Sequence, residues 1–166
     1  MSETAFSAPT ESLLREAEAF CGRRQARLTE QRRQVLGLIL ESPKPLGAYD
    51  LLDRMREAGA QSAAPPTIYR ALDFLLAQGL IHKVERLSAF IGCTHALQPH
   101  DHDDHALHSV QFLICKNCGR AIEISDPAIG KALAAAAASA AFTLTGMTVE
   151  AEGLCAACVT AVGSAA

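Results

Sequence analysis

The 166-residue sequence lacks any apolar run that could cross a membrane. Its longest candidate, Ala132 to Phe142, is Ala-rich and well short of the ~20 residues a spanning helix needs. The apolar core of a signal peptide is also missing, because Glu3, Glu11, Arg15, Glu16 and Glu18 interrupt the first 24 residues. These two absences exclude a membrane partner and make the cytoplasm the expected compartment. There is no excess of positive charge: 15 Lys and Arg face 18 Asp and Glu, a net of −3, which taken alone argues against a polyanionic partner. Compositional extremes are absent as well. With 49% hydrophobic and 20% charged residues, the chain is neither disordered throughout nor a disulfide-dense miniature scaffold, and its length fits one medium domain or two small ones.

The average charge conceals an asymmetry. Residues 1–86 carry 12 basic and 11 acidic side chains, whereas residues 87–166 carry 3 and 7. Between Cys21 and Arg56 there are eight basic and four acidic residues, a locally positive stretch suited to phosphates. Apolar positions at helical spacing predict helices over Ser12–Cys21 and Thr29–Ser42, with the first ten residues frayed. A third stripe, Ala48, Leu51, Leu52, Met55 and Ala58, leaves Tyr49 off its buried face. A fourth helix opens at Pro65 and Pro66 and buries Ile68, Ala71, Leu72, Leu75 and Leu76, so Tyr69 and Arg70 point outward. Two helices across a short turn, the second displaying Tyr and Arg, suggest a helix-turn-helix, and an exposed solvated face is the plainer alternative.

Leu80–Arg86 and Ala89–Thr94 read as a hairpin, which would make the unit a winged helix-turn-helix. The polar stretch from Gln98 to His108 reads as a linker. Beyond it, strands are expected at Gln111–Ile114, Ala121–Ile124 and Thr143–Ala151, with a helix over Asp126–Ala141. The expected fold is α+β: a winged-helix domain over 1–94, a His/Asp-rich hinge over 95–108 and a small α+β domain over 109–166.

Six cysteines in a reducing compartment point to metal before disulfides. Cys115, Cys118, Cys155 and Cys158 form two CxxC knuckles, and four converging thiolates suit a closed tetrahedral zinc site that would staple a domain too small to hold a large core. Buried unligated thiols, or an iron site, are the alternatives. Cys21 has no metal-binding neighbour in sequence and reads as core.

All six histidines fall between His82 and His108. If the hairpin is centred between Leu87 and Ser88, His82 lies directly opposite Cys93, close enough to share a metal. His108 and Glu123 are candidates for the remaining ligands, and one thiolate in such a shell favours zinc over magnesium or calcium. An ordinary strand glutamate and solvated histidines are the plainer alternative. The run from His100 to His105 contains the pattern HxHxDH and resembles the metal-binding motif of metallo-β-lactamase-like hydrolases. Those enzymes need further histidines downstream, and this chain has none after His108. An auxiliary metal site at His100, His102 and His105 or a solvated hinge is the favoured reading, with the metallohydrolase kept as a further alternative.

The segment PPTIYRALDFLLAQGLIHKVE, followed by CxxCG and then EGLCAAC, resembles the ferric-uptake-regulator family from Leu28 to Cys158. Cys93 after the wing, and His108 seven residues before Cys115, resemble the zinc-sensing members of that family. The resemblance implies a homodimeric repressor that binds a palindromic operator in double-stranded DNA when zinc is present and that has no small-molecule substrate or catalytic residue. It implies two zinc sites per subunit, a structural one at Cys115, Cys118, Cys155 and Cys158 in a dimerisation domain, and a regulatory one at His82, Cys93, His108 and Glu123; the hinge would add a third. DNA contacts carry over to Tyr49, Tyr69 and Arg70. The hinge is longer than the family pattern, which leaves His95, His100, His102 and His105 as competing ligands. A zinc-storage or metallochaperone module using the hinge is the alternative function.

Overall fold

The computed structural model describes residues 6–93 and 109–163. The chain divides into two compact units, Met1–Gln98 and Pro99–Ala166. In the first, α1 (Ala8–Arg23), α2 (Glu30–Glu41), α3 (Ala48–Glu57) and α4 (Pro65–Ala77) enclose one apolar core in which α2 packs against the other three helices. Leu14, Leu36, Leu51, Ile68, Leu72 and Leu75 lie at its centre. The buried side chains of α4, Ile68, Ala71, Leu72 and Leu75, follow the predicted stripe.

α1 begins earlier than the sequence suggests. Ser7 caps it, its hydroxyl accepting from the Thr10 N–H, and the Ser7 N–H donates to Glu41 Oε1 at 2.8 Å. Hydrogen bonds from the Ser7 and Thr10 side chains lower the Glu41 pKa. The Phe6 ring rests on α2 where Gly37 leaves room, since a Cβ at Gly37 would overlap it. Phe6 to Thr10 are therefore anchored rather than frayed.

A two-stranded reading of the wing is also incomplete. β1 (Leu46–Gly47), β2 (Ile81–Val84) and β3 (Ala89–Gly92) form an antiparallel sheet ordered β1-β3-β2. His82 pairs with Ile91, not with Cys93. Leu87-Ser88 cannot supply the two positive φ angles of a tight primed turn, so the chain closes through a 3-10 turn over Glu85–Leu87, with Ser88 alone left-handed at φ 48°. The register slips by two residues, which keeps every side chain on its expected face.

In the second unit, β4 (Ser109–Cys115) is the central strand, antiparallel to β5 (Ala121–Ile124) and parallel to β6 (Met147–Gly153), with α5 (Pro127–Ser139) making the crossover. Gln111 is buried and staples the sheet to α5: its Nε2 donates to the Asp126 carbonyl at 3.0 Å and its Oε1 accepts the Asp126 N–H at 3.2 Å. Asp126 in turn caps α5 by accepting the Ala128 N–H at 2.8 Å. The third strand runs later than the expected 143–151 because its pairing with β4 sets Gly153 opposite Cys115. A short helix, α6 (Ala156–Gly163), was not anticipated. No helix among the described residues is long and apolar enough to cross a membrane.

The Phe6–Gly37 contact predicts a change of sign. Gly37→Ala should lower the melting temperature of the intact chain by displacing the ring, an overpacking cost of about 1–3 kcal/mol. In a Phe6→Ala background the same change should raise it, through the helix propensity gain of about 1 kcal/mol. Thermal unfolding of the four variants checks this, and equal effects in both backgrounds would contradict the contact.

Candidate metal centres and nucleic-acid interface

The strongest cluster lies at one end of the second sheet. β4 delivers Cys115, and a turn carries Cys118 back over it: Gly119, left-handed at φ 72°, donates its N–H to the Cys115 carbonyl at 2.9 Å. The parallel ladder brings Gly153 alongside, and the Lys116 N–H donates to its carbonyl at 2.9 Å. Cys155 follows at once, and Cys158 sits in the first turn of α6, its N–H bonded to the Cys155 carbonyl at 2.9 Å. All four sulfurs lie within 4.8 Å of one another, and Cys118 Sγ stands 3.8 Å from Cys155 Sγ. That separation matches the edge of a tetrahedron with a metal–sulfur bond of about 2.3 Å, so the thiols fit a four-coordinate zinc ion.

The four thiols are not equivalent. Backbone N–H groups of Cys118 and then Cys155, the latter donating at 3.3 Å, hold the Cys115 pKa down at about 6. At Cys158 the Asn117 side chain pulls the other way, but hydrogen bonding with Cys155, burial, and contacts with Cys115 and Cys118 push the thiol up to about 11. The two shifts have opposite directions, Cys115 held down by backbone N–H groups and Cys158 pushed up by its thiol neighbours and burial.

A second group lies on the wing. The ligand atoms of His82 and Cys93 come within 4.8 Å of each other even though the residues are not directly paired. Ile91 is opposite His82, and Cys93 lies two residues further along, on the same face and within diagonal reach. Cys93 is buried, and its N–H donates to the Leu80 carbonyl at 3.0 Å. Leu80 also completes the C-terminus of α4: Gly79 is left-handed at φ 70°, and the Leu80 N–H returns to the Leu75 carbonyl at 2.9 Å. A helix with exposed polar side chains at its start is thus linked at its other end, through Leu80, to the backbone of the thiol-bearing residue. Sequence patterning missed this connection, although the Gly79 helix-stop signal marks its position. Glu123 stands on β5 of the second unit, opposite Phe112. His108, and His100, His102 and His105 of the HxHxDH run, lie outside the described residues, as does His95.

Tyr49 lies in the first turn of α3 with 68% of its surface exposed, Tyr69 is 47% exposed on α4, and Arg70 is exposed beside it. The two tyrosines line one apolar notch with Ala48, Leu52, Pro65 and Ile68. Both rings and the guanidinium are available to a ligand, as the helical spacing predicted.

The model of the ferric uptake regulator family matches residues 23–152. This chain belongs to the ferric uptake regulator family. It is 43% identical over 150 residues to the zinc uptake regulation protein of Escherichia coli (strain K12), an alignment covering 90% of this chain and 83% of that one. It also resembles a solved zinc uptake regulator complexed with zinc and DNA, with 41% identity, a TM-score of 0.83, and 95% and 99% of the two chains covered. Against the holo and apo structures of XcZur, at 44% and 43% identity, the TM-scores are 0.77 and 0.50, each covering 90% of this chain and 98% and 97% of theirs.

Within this family member the four-thiol centre carries a pH dependence with a definite sign. Metal entry requires thiolates, so zinc binding releases protons and low pH opposes it. At about pH 7 Cys115 is already ionised while Cys158 must lose its proton. As pH falls through about 6, Cys115 also becomes protonated, so the protons released per zinc should rise. Titration with zinc of metal-free protein whose circular dichroism remains that of the folded chain, in weakly buffered solution, measures the count. A value that stays constant between about pH 7.5 and pH 5 would contradict the assigned ionisation of Cys115.

Proposed function

We propose that the chain is a zinc-responsive transcriptional repressor acting in the cytoplasm, which binds palindromic operator DNA as a homodimer and controls zinc-uptake genes. The observation that carries this reading is the attachment of Cys93 and His82 to the end of α4, the helix that displays Tyr69 and Arg70. Its family membership supports the reading, as does its similarity to a zinc uptake regulator solved with zinc and DNA.

Cys115, Cys118, Cys155 and Cys158 would hold structural zinc and give the second unit a fixed centre. His82, Cys93, His108 and Glu123 would hold regulatory zinc. Zinc bound by these ligands would supply a coordinate cross-link that fixes the wing. Simultaneous fit to two half-sites about one helical turn apart then depends on the arrangement, which links metal affinity to DNA affinity.

On the DNA, Arg70 would reach a guanine edge in the major groove, and Tyr49 and Tyr69 would set backbone position or meet thymine methyl groups. The second unit offers the surface for a second copy. α5 buries none of its residues, Leu133 and Phe142 are exposed, and Leu113 and Ile122 are paired on the sheet and each 46% exposed. No catalytic role is assigned to any residue.

Selection of fragments from sheared genomic DNA, in matched samples with buffered zinc and with a chelator mild enough to spare the four-thiol site, tests the reading. Zinc-dependent enrichment of a few palindromic fragments is expected. An intact, zinc-stapled fold with no enrichment would contradict it and favour zinc storage. Arg70→Ala should weaken discrimination between operator and altered operator by about 1–3 kcal/mol while zinc content stays the same. Cys93→Ser should retain the structural zinc and lose the zinc response of DNA binding; a normal response would remove Cys93 from the regulatory site.

A further inference from the structure

A second basic feature borders the exposed face of α4. Thr29, Gln31 and Arg32, at the start of α2, face Thr67, Arg70 and Ala71 of α4 across an open cleft. Its lining carries two guanidiniums, two hydroxyls and an amide, and no carboxylate. Thr29 is the N-cap of α2, yet its side chain makes no capping bond, so its hydroxyl and the first-turn N–H groups of that helix remain available.

The two arginines differ from other basic residues nearby. Arg33 is paired with Glu11, and Lys83 with Glu85 at 2.6 Å. Neither Arg32 nor Arg70 makes an ion pair among the described residues. Arg32 is held in place instead by neutral partners. Its Nη1 donates to the Arg27 carbonyl at 2.7 Å, and its guanidinium carbon sits 3.7 Å from the centre of the Phe74 ring on α4. One donor is used and one face is stacked, which leaves a full positive charge and the other N–H groups of the fork. Such a side chain loses little further freedom on binding an anion.

We propose that this cleft seats a phosphodiester of the DNA backbone, with Arg32 as its fixed cation and Thr29 and Thr67 as hydroxyl donors. The inference rests on the DNA-binding reading above and adds a positioning residue to it. Arg70 would read a base, while Arg32, anchored to the same helix through Phe74, would hold the backbone at the register where Arg70 meets that base. Contacts to phosphate position a protein without specifying sequence, so the two arginines have separable signatures.

The test measures affinity for an operator duplex and for a scrambled duplex of equal length across a range of salt, with zinc-loaded full-length dimer. Arg32→Met should weaken both duplexes by the same factor and should reduce the slope of log affinity against log salt by about 0.9 for each subunit. Arg32→Lys keeps the charge and should keep the slope, with weaker binding because the stack on Phe74 is lost. Thr67→Val should weaken both duplexes equally at unchanged slope. Inorganic phosphate at matched ionic strength should not compete, since the seat is shaped for a strand that α4 also engages. An unchanged slope for Arg32→Met, with melting temperature and zinc content preserved, overturns the proposal and leaves Arg32 a packing residue. Should Arg32→Met not fold, the lysine and valine variants decide: a lowered slope in the first or undiminished affinity in the second overturns it. Strong competition by free phosphate would reassign the cleft to a small anion. If the unsubstituted protein shows no zinc-dependent preference for any duplex, the DNA-binding reading itself fails, a result separate from all of these.

Discussion

The hydrogen bond from the Cys93 N–H to the Leu80 carbonyl is the constraint on which the functional architecture depends. Leu80 is fixed from the other side by its own N–H to Leu75, made possible because Gly79 takes a left-handed conformation at the end of α4. Helix end and wing are thereby one piece. Any displacement imposed at His82 and Cys93 passes to a helix whose opposite end carries Tyr69 and Arg70. Coupling between a metal and DNA needs such a physical element, and a two-residue connection closed by backbone hydrogen bonds is short and stiff enough to serve.

The second unit solves a different problem. Its sheet buries Phe112, Ile114, Ala121 and Met147, while α5 contributes nothing buried, so its apolar core is thin. Two devices compensate. Gln111 ties the central strand to the start of α5 with two hydrogen bonds, and the parallel pairing of β4 with β6 brings both cysteine knuckles to the same end. Four thiols held at metal-binding distance by backbone geometry would turn metal affinity into folding energy, which a unit of this size needs. The exposed apolar surface that remains is accounted for by a second copy in the dimeric reading.

Where one interaction dominated, the sequence was legible. The spacing of Ile68, Ala71, Leu72 and Leu75 defined the buried face of α4 and so the outward position of Tyr69 and Arg70. The two CxxC spacings identified a thiol cluster that the fold assembles. The pairing of His82 was misjudged because a hairpin register depends on the turn, and Leu87-Ser88 is served by a 3-10 turn that apolar alternation does not reveal. β1, with two residues, and α6, with eight, are too short to leave a periodic signal. The anchoring of Phe6 depends on an absent side chain at Gly37, and the pinning of Arg32 on a ring from a helix distant in sequence. Tertiary relations of this kind have no local pattern to read.

Coupling between the wing metal ligands and operator DNA is reciprocal in this mechanism. It is measured most directly by the zinc affinity of the regulatory site, from competition with a chelator, in the presence and absence of saturating operator and with the four-thiol site occupied throughout. Operator should tighten zinc by the same factor by which zinc tightens operator, within the range of about 5- to 150-fold typical of such linkage. A zinc affinity unmoved by operator would contradict it, because DNA binding would then depend on zinc only through the folding of the second unit.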